Sequence, residues 1–157
     1  MDTENLDLKT KIFKQLKGLL EEKIIALKDL ILTTKEARDA DTKSSVGDKY
    51  ETARSMAQIE IQKSEMQLHK TRLLLSELSK IDLKKQNNQV EFGSLVYTNS
   101  GNYFISIWIG KVELNDFTCY AISLASPVGK ILEGNIVGNS LSFQGKESVF
   151  LWIFGEL

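Results

Sequence analysis

The feature that most restricts this chain is a proline-free stretch, residues 6–85, in which apolar residues recur at alternating steps of four and three. In the first half this seam consists of Leu20, Ile24, Leu27, Ile31 and Thr34. The second half repeats the spacing with a weaker seam of Tyr50, Ala57, Ile61, Ser64, Leu68, Thr71, Leu75 and Leu78. Such spacing is typical of helices that pack along a shared seam. The sequence therefore predicts helices over roughly residues 6–38 and 48–81.

The segment between the two predicted helices, residues 39–47, is short and polar and ends in glycine. Helices joined by so short a loop lie antiparallel, so we expect a hairpin whose tip is formed by residues 39–47. Ser45, followed three residues later by Asp48, fits a capping box at the start of the second helix. Arms of about 30 residues would be roughly 45–50 Å long.

The pattern changes after the polar segment 84–89, where β-branched and aromatic residues begin to alternate with polar ones. Strands are predicted at 95–97, 103–109, 117–122, 140–143 and 148–154, and a short helix begins at Ser126 and Pro127 and ends at Gly134. The predicted fold class is α+β: an antiparallel helical hairpin, residues 1–85, followed by a small antiparallel sheet with one helix, residues 86–157.

We expect the aromatic residues of the second half to cover one face of this sheet and to belong to its core. The run 149–154 does not alternate, so it fits either a buried central strand or an exposed edge strand.

Composition excludes several kinds of function. Lys and Arg number 20 against 21 Asp and Glu, so phosphate-driven binding to bare nucleic acid is not indicated. The single cysteine, Cys119, cannot form an intramolecular disulfide, and one cysteine with one histidine cannot build a usual zinc site. No signal peptide and no membrane-length apolar run is visible. We therefore expect a cytoplasmic protein with no membrane partner and no small-molecule substrate.

Three runs in the second half, together with the segment after the hairpin tip, suggest a family. The runs are Phe92-Gly-Ser-Leu-Val96, Ala121-Ile-Ser-Leu-Ala-Ser-Pro-Val-Gly-Lys-Ile-Leu-Glu-Gly134 and Val137-Gly-Asn-Ser-Leu-Ser-Phe143. The tip segment is Gly47-Asp-Lys-Tyr-Glu-Thr-Ala-Arg54, with Tyr50 at the position of a family tyrosine. Over nearly its whole length the chain resembles the bacterial transcript-cleavage factors of the Gre family, GreA and GreB.

This resemblance implies a transcription elongation factor that acts on RNA polymerase and is not itself an enzyme. In the family an FKBP-like domain docks at the rim of the polymerase's secondary channel and the coiled coil enters the channel. Carboxylates at the tip then help to hold a Mg²⁺ ion at the polymerase's own active site, where a hard cation needs oxygen ligands. Nucleic acid would be met only through the elongation complex.

On this resemblance Asp41 and Asp48 are the candidate catalytic and Mg²⁺-holding carboxylates, and Ser126, Pro127 and Tyr50 are candidate partner contacts. The family's tip has an Asp and a Glu around a Gly-Asp-x-x-Glu-Asn run, whereas here the spacing differs and Lys43 intervenes. Asp48 would also serve as a helix cap and Asp41 as a solvated loop acid.

Three other functions stay open. The chain could bind the polymerase channel without stimulating cleavage, or act as a structural or chaperone-like hairpin adaptor. The FKBP-like fold alone suggests a peptidyl-prolyl isomerase, and fold analogy is a weak warrant.

Overall fold

The computed structural model describes residues 2–40 and 47–153. Its elements, in chain order, are α1 (Asp2–Ala40), α2 (Asp48–Ser79), β1 (Leu95–Thr98), β2 (Gly101–Ile105), β3 (Gly110–Leu114), β4 (Phe117–Ile122), α3 (Pro127–Leu132), β5 (Ser140–Phe143) and β6 (Lys146–Ile153). Two long helices followed by a small sheet and a short helix confirm the predicted α+β class. No helix in the described part of the chain combines the length and apolar character needed to cross a membrane.

The chain divides into two compact units. The hairpin unit comprises residues 17–76, from α1 and α2. The sheet unit comprises α1 up to Leu16 and the chain from Glu77 onward. The predicted domain boundary at residue 85 remains a prediction.

The hairpin unit is held together by the seam that the sequence predicts. Its core consists of Leu27, Ile31, Ile61 and Leu68, against which Ile24 packs. The helices run antiparallel, since Lys35 pairs with Glu65 (Nζ to Oε1, 3.1 Å) while Arg38, further along α1, reaches back to Gln58. Two polar seam residues, Ser64 and Thr71, are buried as well. The Thr71 hydroxyl donates a hydrogen bond to the Gln67 carbonyl at 2.8 Å, so Thr71 is hydrogen-bonded although it is buried.

Within residues 2–40 and 47–153 the sheet has six strands, in the order β3-β4-β2-β1-β6-β5. Four of its pairings are antiparallel, as predicted, but β2 and β4 pair in parallel, with Phe104 beside Ala121. The sheet is therefore mixed rather than purely antiparallel. The parallel pair arises because β3 lies on the far side of β4, so the chain returns along β4 in the direction of β2.

The predicted strand 103–109 is too long. Strand β2 ends at Ile105, and a separate strand, β3, follows at Gly110–Leu114. Gly110 has φ +98, a conformation that glycine adopts readily and that lets the chain change direction here. In β3 the side chain of Val112 is buried between the exposed Lys111 and Glu113, which is the alternation of a half-buried strand.

The core of the sheet unit contains Val90, Val96, Ile105, Ile122 and Leu132. The start of α1 belongs to the same unit. Its Ile12 and Leu16 are fully buried, and Gln15 donates through Nε2 to the Glu113 carbonyl at 3.2 Å. The first turns of α1 thus pack with the sheet rather than with the hairpin.

The backbone shows how the last strand is paired. Residues 146–149 of β6 pair with β5, and residues 150–153 pair with β1 across an irregularity, so β6 lies inside the sheet order. Phe154 lies outside the described residues.

The expectation that the aromatic residues belong to the core is wrong for two of them. Phe104 is fully buried, but Trp108 is 64% exposed and Tyr120 is also exposed. Tyr120 points outward because it alternates along β4 with the buried Cys119 and Ala121. Trp108 follows the end of β2, in the bend that precedes β3.

Candidate functional site at the hairpin turn

The turn end of the hairpin is bounded by Ala40, where α1 ends, and Asp48, where α2 begins. Gly47 has φ +80, which favours glycine, and its carbonyl accepts hydrogen bonds from the backbone N–H of Tyr50 (3.2 Å) and of Glu51 (3.5 Å). These two bonds form the first turn of α2. Asp41 and Ser45, the predicted tip carboxylate and cap, lie outside the described residues.

An arginine links the two helices next to this turn. Arg38 donates through Nε to Asp39 Oδ1 at 3.0 Å and through Nη1 to Gln58 Oε1 at 2.8 Å. The hydrogen bond from Arg38 holds the pKa of the Asp39 carboxyl below its usual value. The Asp39 carboxylate is therefore paired with Arg38, a cation on the same helix.

Tyr50 is half-buried in α2, and its hydroxyl accepts a hydrogen bond from Arg54 Nη1 at 3.1 Å. It lines a cavity of about 160 Å³ between the helices, with walls formed by Thr34, Ala37, Arg38, Ala53, Arg54 and Ala57. Ligand pockets are usually about 300–1,000 Å³, so this cavity is too small for a bound metabolite. The geometry explains Tyr50 as a packing residue, and its predicted role as a partner contact stays a prediction.

Asp48 is exposed and lies with Glu51 in the first turn of α2, where the helix dipole favours negative charge. Within the described ranges no group of three or more His, Cys, Asp or Glu side chains could hold a metal ion. The described residues at the turn therefore do not form a Mg²⁺ site by themselves. A metal-holding role would require Asp41 or oxygen ligands from a partner.

Ser126 and Pro127, the other predicted contacts, lie in the sheet unit. Ser126 is the N-cap of α3: its Oγ accepts from the Gly129 N–H at 3.0 Å and donates to the Ser123 carbonyl at 2.7 Å. Pro127 is exposed at the first helical position, as predicted. Gly129 is required for this close approach, because a Cβ there would lie 2.1 Å from the Ser123 carbonyl oxygen.

Beside α3 the sheet unit contains a cleft of about 440 Å³ that the sequence does not predict. Its apolar wall comes from α3 and from the strands, and its polar rim includes Thr98, Ser100 and Gln144. The apolar residues are Tyr103, Val128, Ile131, Leu132, Leu141 and Phe143. No sequence signal identifies this cleft, since its residues come from four separate elements.

A second feature missed from the sequence is Lys9, whose side chain is fully buried in the sheet unit. Burial lowers the pKa of its amine to about 8, while the nearby Asp82 opposes this effect. Around it Lys85 Nζ pairs with Glu91 Oε1 at 2.8 Å, and Asn87 donates to the same carboxylate. A lysine in a helix that begins the chain gives no sequence indication that it will be buried.

No protein-family model matches the chain, and the comparison with curated proteins finds no match. Among solved structures, the one described as "Structure of the transcription factor Gfh1" aligns with 92% of this chain and 94% of that chain. The two sequences are 21% identical and the TM-score is 0.32. An identity and a TM-score this low leave the function to be argued from the chain's own residues.

Proposed function

We propose that this chain is a Gre-type transcription elongation factor. In this proposal the sheet unit binds RNA polymerase, with Ser126 and Pro127 of the α3 start at the contact, and the hairpin enters the secondary channel. The chain has no chemistry of its own and acts on the polymerase's active site. We further propose that the factor stimulates the cleavage of backtracked transcripts, and that this stimulation depends on the carboxylates near the hairpin turn.

The observation that supports this proposal best is the agreement between the Gre-like runs and the elements that contain them. The run Gly47–Arg54 begins α2 at the hairpin turn, and the run Ala121–Gly134 includes the end of β4 and all of α3. The hairpin also buries its own seam through Leu27, Ile31 and Ile61. A hairpin with its own core can keep its structure while it is surrounded by a partner.

A second candidate is a channel binder that does not stimulate cleavage. Between residues 38 and 54 the chain has four cations, Arg38, Lys43, Lys49 and Arg54, and four carboxylates, Asp39, Asp41, Asp48 and Glu51. One of these carboxylates, Asp39, is already paired with Arg38. A turn region in which positive and negative charges are equal in number attracts a Mg²⁺ ion less than an acidic turn region does. This favours a protein that blocks the secondary channel over one that helps to hold a Mg²⁺ ion at the polymerase's active site.

Crosslinking tests the proposal. A photo-crosslinking amino acid replaces Lys49, which is exposed in the first turn of α2, and the full-length variant is irradiated with RNA polymerase. We expect crosslinks to polymerase segments that line the secondary channel, and we expect an excess of an authentic Gre factor to abolish them. If the chain neither co-purifies with polymerase nor crosslinks from this position, the polymerase assignment is wrong.

A further inference from the structure

The outer face of α2 carries an exposed stripe of apolar and basic residues. Its members follow steps of three and four along the side of the helix opposite the buried seam: Met56, Ile59, Lys63, Met66, Lys70 and Leu73. The four apolar side chains are 53–73% exposed. A continuous apolar stripe on a surface helix indicates an interaction site more often than scattered single residues do.

The outer face of α1 carries a stripe of the opposite charge with the same spacing. It consists of Glu22, Ile25, Asp29, Leu32 and Glu36, all exposed. Ile25 is 60% and Leu32 56% exposed. In the α1 stripe the three acids stand seven residues apart. In the α2 stripe Lys63 and Lys70 do so, and Met56 occupies the preceding position of the same register. In both stripes an apolar residue lies between successive charges, as at a helix–helix interface.

The stripes also agree in position along the hairpin. The contacts Lys35–Glu65 and Arg38–Gln58 set the alignment of α1 against α2 within one chain. By this alignment Asp29 lies at about the level of Lys70, and Glu36 at about the level of Lys63. Two hairpins side by side, with their turns at the same end, would therefore place two of the three acids of one α1, Asp29 and Glu36, opposite Lys70 and Lys63 of the neighbouring α2.

We propose that the partner of these surfaces is a second copy of this chain, whose acidic α1 stripe docks on the basic α2 stripe. The contact is heterologous, because α1 against α1 would oppose carboxylates and α2 against α2 would oppose lysines. Ile25 and Leu32 of one copy pack against Leu73 and Met66 of the other.

Two local features support this occupant. A groove of about 690 Å³ lies beside α2, where Met66 and Leu73 provide apolar surface and Lys63 and Lys70, together with Lys23 of α1, provide positive charge. Such a groove suits an apolar helix edged with carboxylates. Among the described residues, none of the charged members of the two stripes takes part in an ion pair.

Sedimentation equilibrium of the full chain tests the proposal without polymerase, so its outcome is independent of the proposed function. We expect the average mass to rise above that of the 17.7 kDa monomer with concentration at low salt and to fall when salt is added. Lys63→Glu with Lys70→Glu, and separately Asp29→Lys with Glu36→Lys, should each weaken association about tenfold. Lys28→Glu with Lys84→Glu, a matched change of charge outside the stripes, should have no such effect.

The decisive experiment mixes equal amounts of the Lys63→Glu/Lys70→Glu variant and the Asp29→Lys/Glu36→Lys variant. Each variant alone presents like charges on both faces, but the mixture brings acidic faces against basic ones, and association should return. Ile59→Gln with Met66→Gln should weaken association at all salt concentrations. A chain that stays monomeric throughout, or stripe variants that do not restore each other, would overturn the proposal in favour of a different partner or a merely solvated surface.

Discussion

Lys9 and Cys119 are two buried ionisable side chains of the sheet unit whose contributions to stability change with pH in opposite directions. Burial lowers the pKa of Lys9 to about 8 and raises the pKa of Cys119 to about 12. In an unfolded chain the corresponding values are about 10.4 and 8.5. Both groups therefore bind protons differently in the two states between about pH 8 and 10.

For Lys9 the folded pKa is the lower one. From about pH 8 upward the folded chain releases this proton first, so the unfolded chain binds more protons and stability rises with pH. For Cys119 the folded pKa is the higher one. The unfolded chain ionises its thiol first, and stability falls as pH rises above about 8.5. In the wild-type protein the two effects largely offset each other.

Removing either group should expose the effect of the other. From pH 7.5 to 9.5 we expect the free energy of unfolding of Lys9→Met to fall by about 1 kcal/mol and that of Cys119→Ala to rise by about 1–2 kcal/mol. Urea denaturation at a series of pH values measures both. Lys130→Met, on the exposed surface of α3, should keep the wild-type profile. A Lys9→Met profile parallel to that of the wild type would contradict the assigned burial of the amine.

At the scale of elements, substitutions at the first two positions of the α3 start distinguish a structural role from a role in binding. Ser126→Ala removes the cap on the Gly129 N–H and should reduce stability by about 1 kcal/mol. Pro127 is exposed and its ring makes no cap, so Pro127→Ala should change stability by no more than about 0.5 kcal/mol. If α3 docks on polymerase, Pro127→Ala should still weaken binding in a titration. Unchanged affinity for this variant would remove Pro127 from the partner contacts.

Elements with a strong local signal could be predicted from the sequence, and those that depend on distant partners could not. The α1–α2 seam and the start of α3 at Ser126 both follow from neighbouring residues. The alternation of Val112 with Lys111 and Glu113 is typical of a strand. The apolar residues up to Ile109, however, extend the predicted strand 103–109 beyond the end of β2, so β3 was not predicted as a separate strand. The parallel pairing of β2 with β4 has no local signal, because it depends on where β3 lies in the sheet.

The candidate site divides in the same way. Ser126 is where its helix-start pattern places it, so its position was predictable. Asp48 is the first residue of α2 and not the third, as the predicted capping box with Ser45 would require. The tie from Arg38 to Gln58 and the cleft beside α3 join residues far apart in the sequence. Such contacts depend on the register of packed elements, which no single segment determines.

At the scale of the whole molecule, the question is whether the hairpin turn places a carboxylate at the polymerase's active site or only blocks the secondary channel. Asp41→Asn removes one negative charge and one anionic oxygen while keeping the size of the side chain. If the factor stimulates cleavage, this variant should abolish stimulation on a backtracked elongation complex and leave polymerase binding nearly unchanged. Asp116→Asn, which alters an exposed acid in the β3–β4 turn, is the matched control and should behave as wild type.

Asp48→Asn should differ from Asp41→Asn because Asp48 also serves its own helix. The amide loses the charge that the start of α2 favours, which costs about 0.3–1 kcal/mol of stability, and its effect on cleavage should be smaller. Suppose instead that the wild-type chain binds polymerase but gives no cleavage on a complex that an authentic Gre factor rescues. The carboxylates near the turn would then be solvated acids balanced by Arg38, Lys49 and Arg54, and occlusion of the channel would be the function that remains.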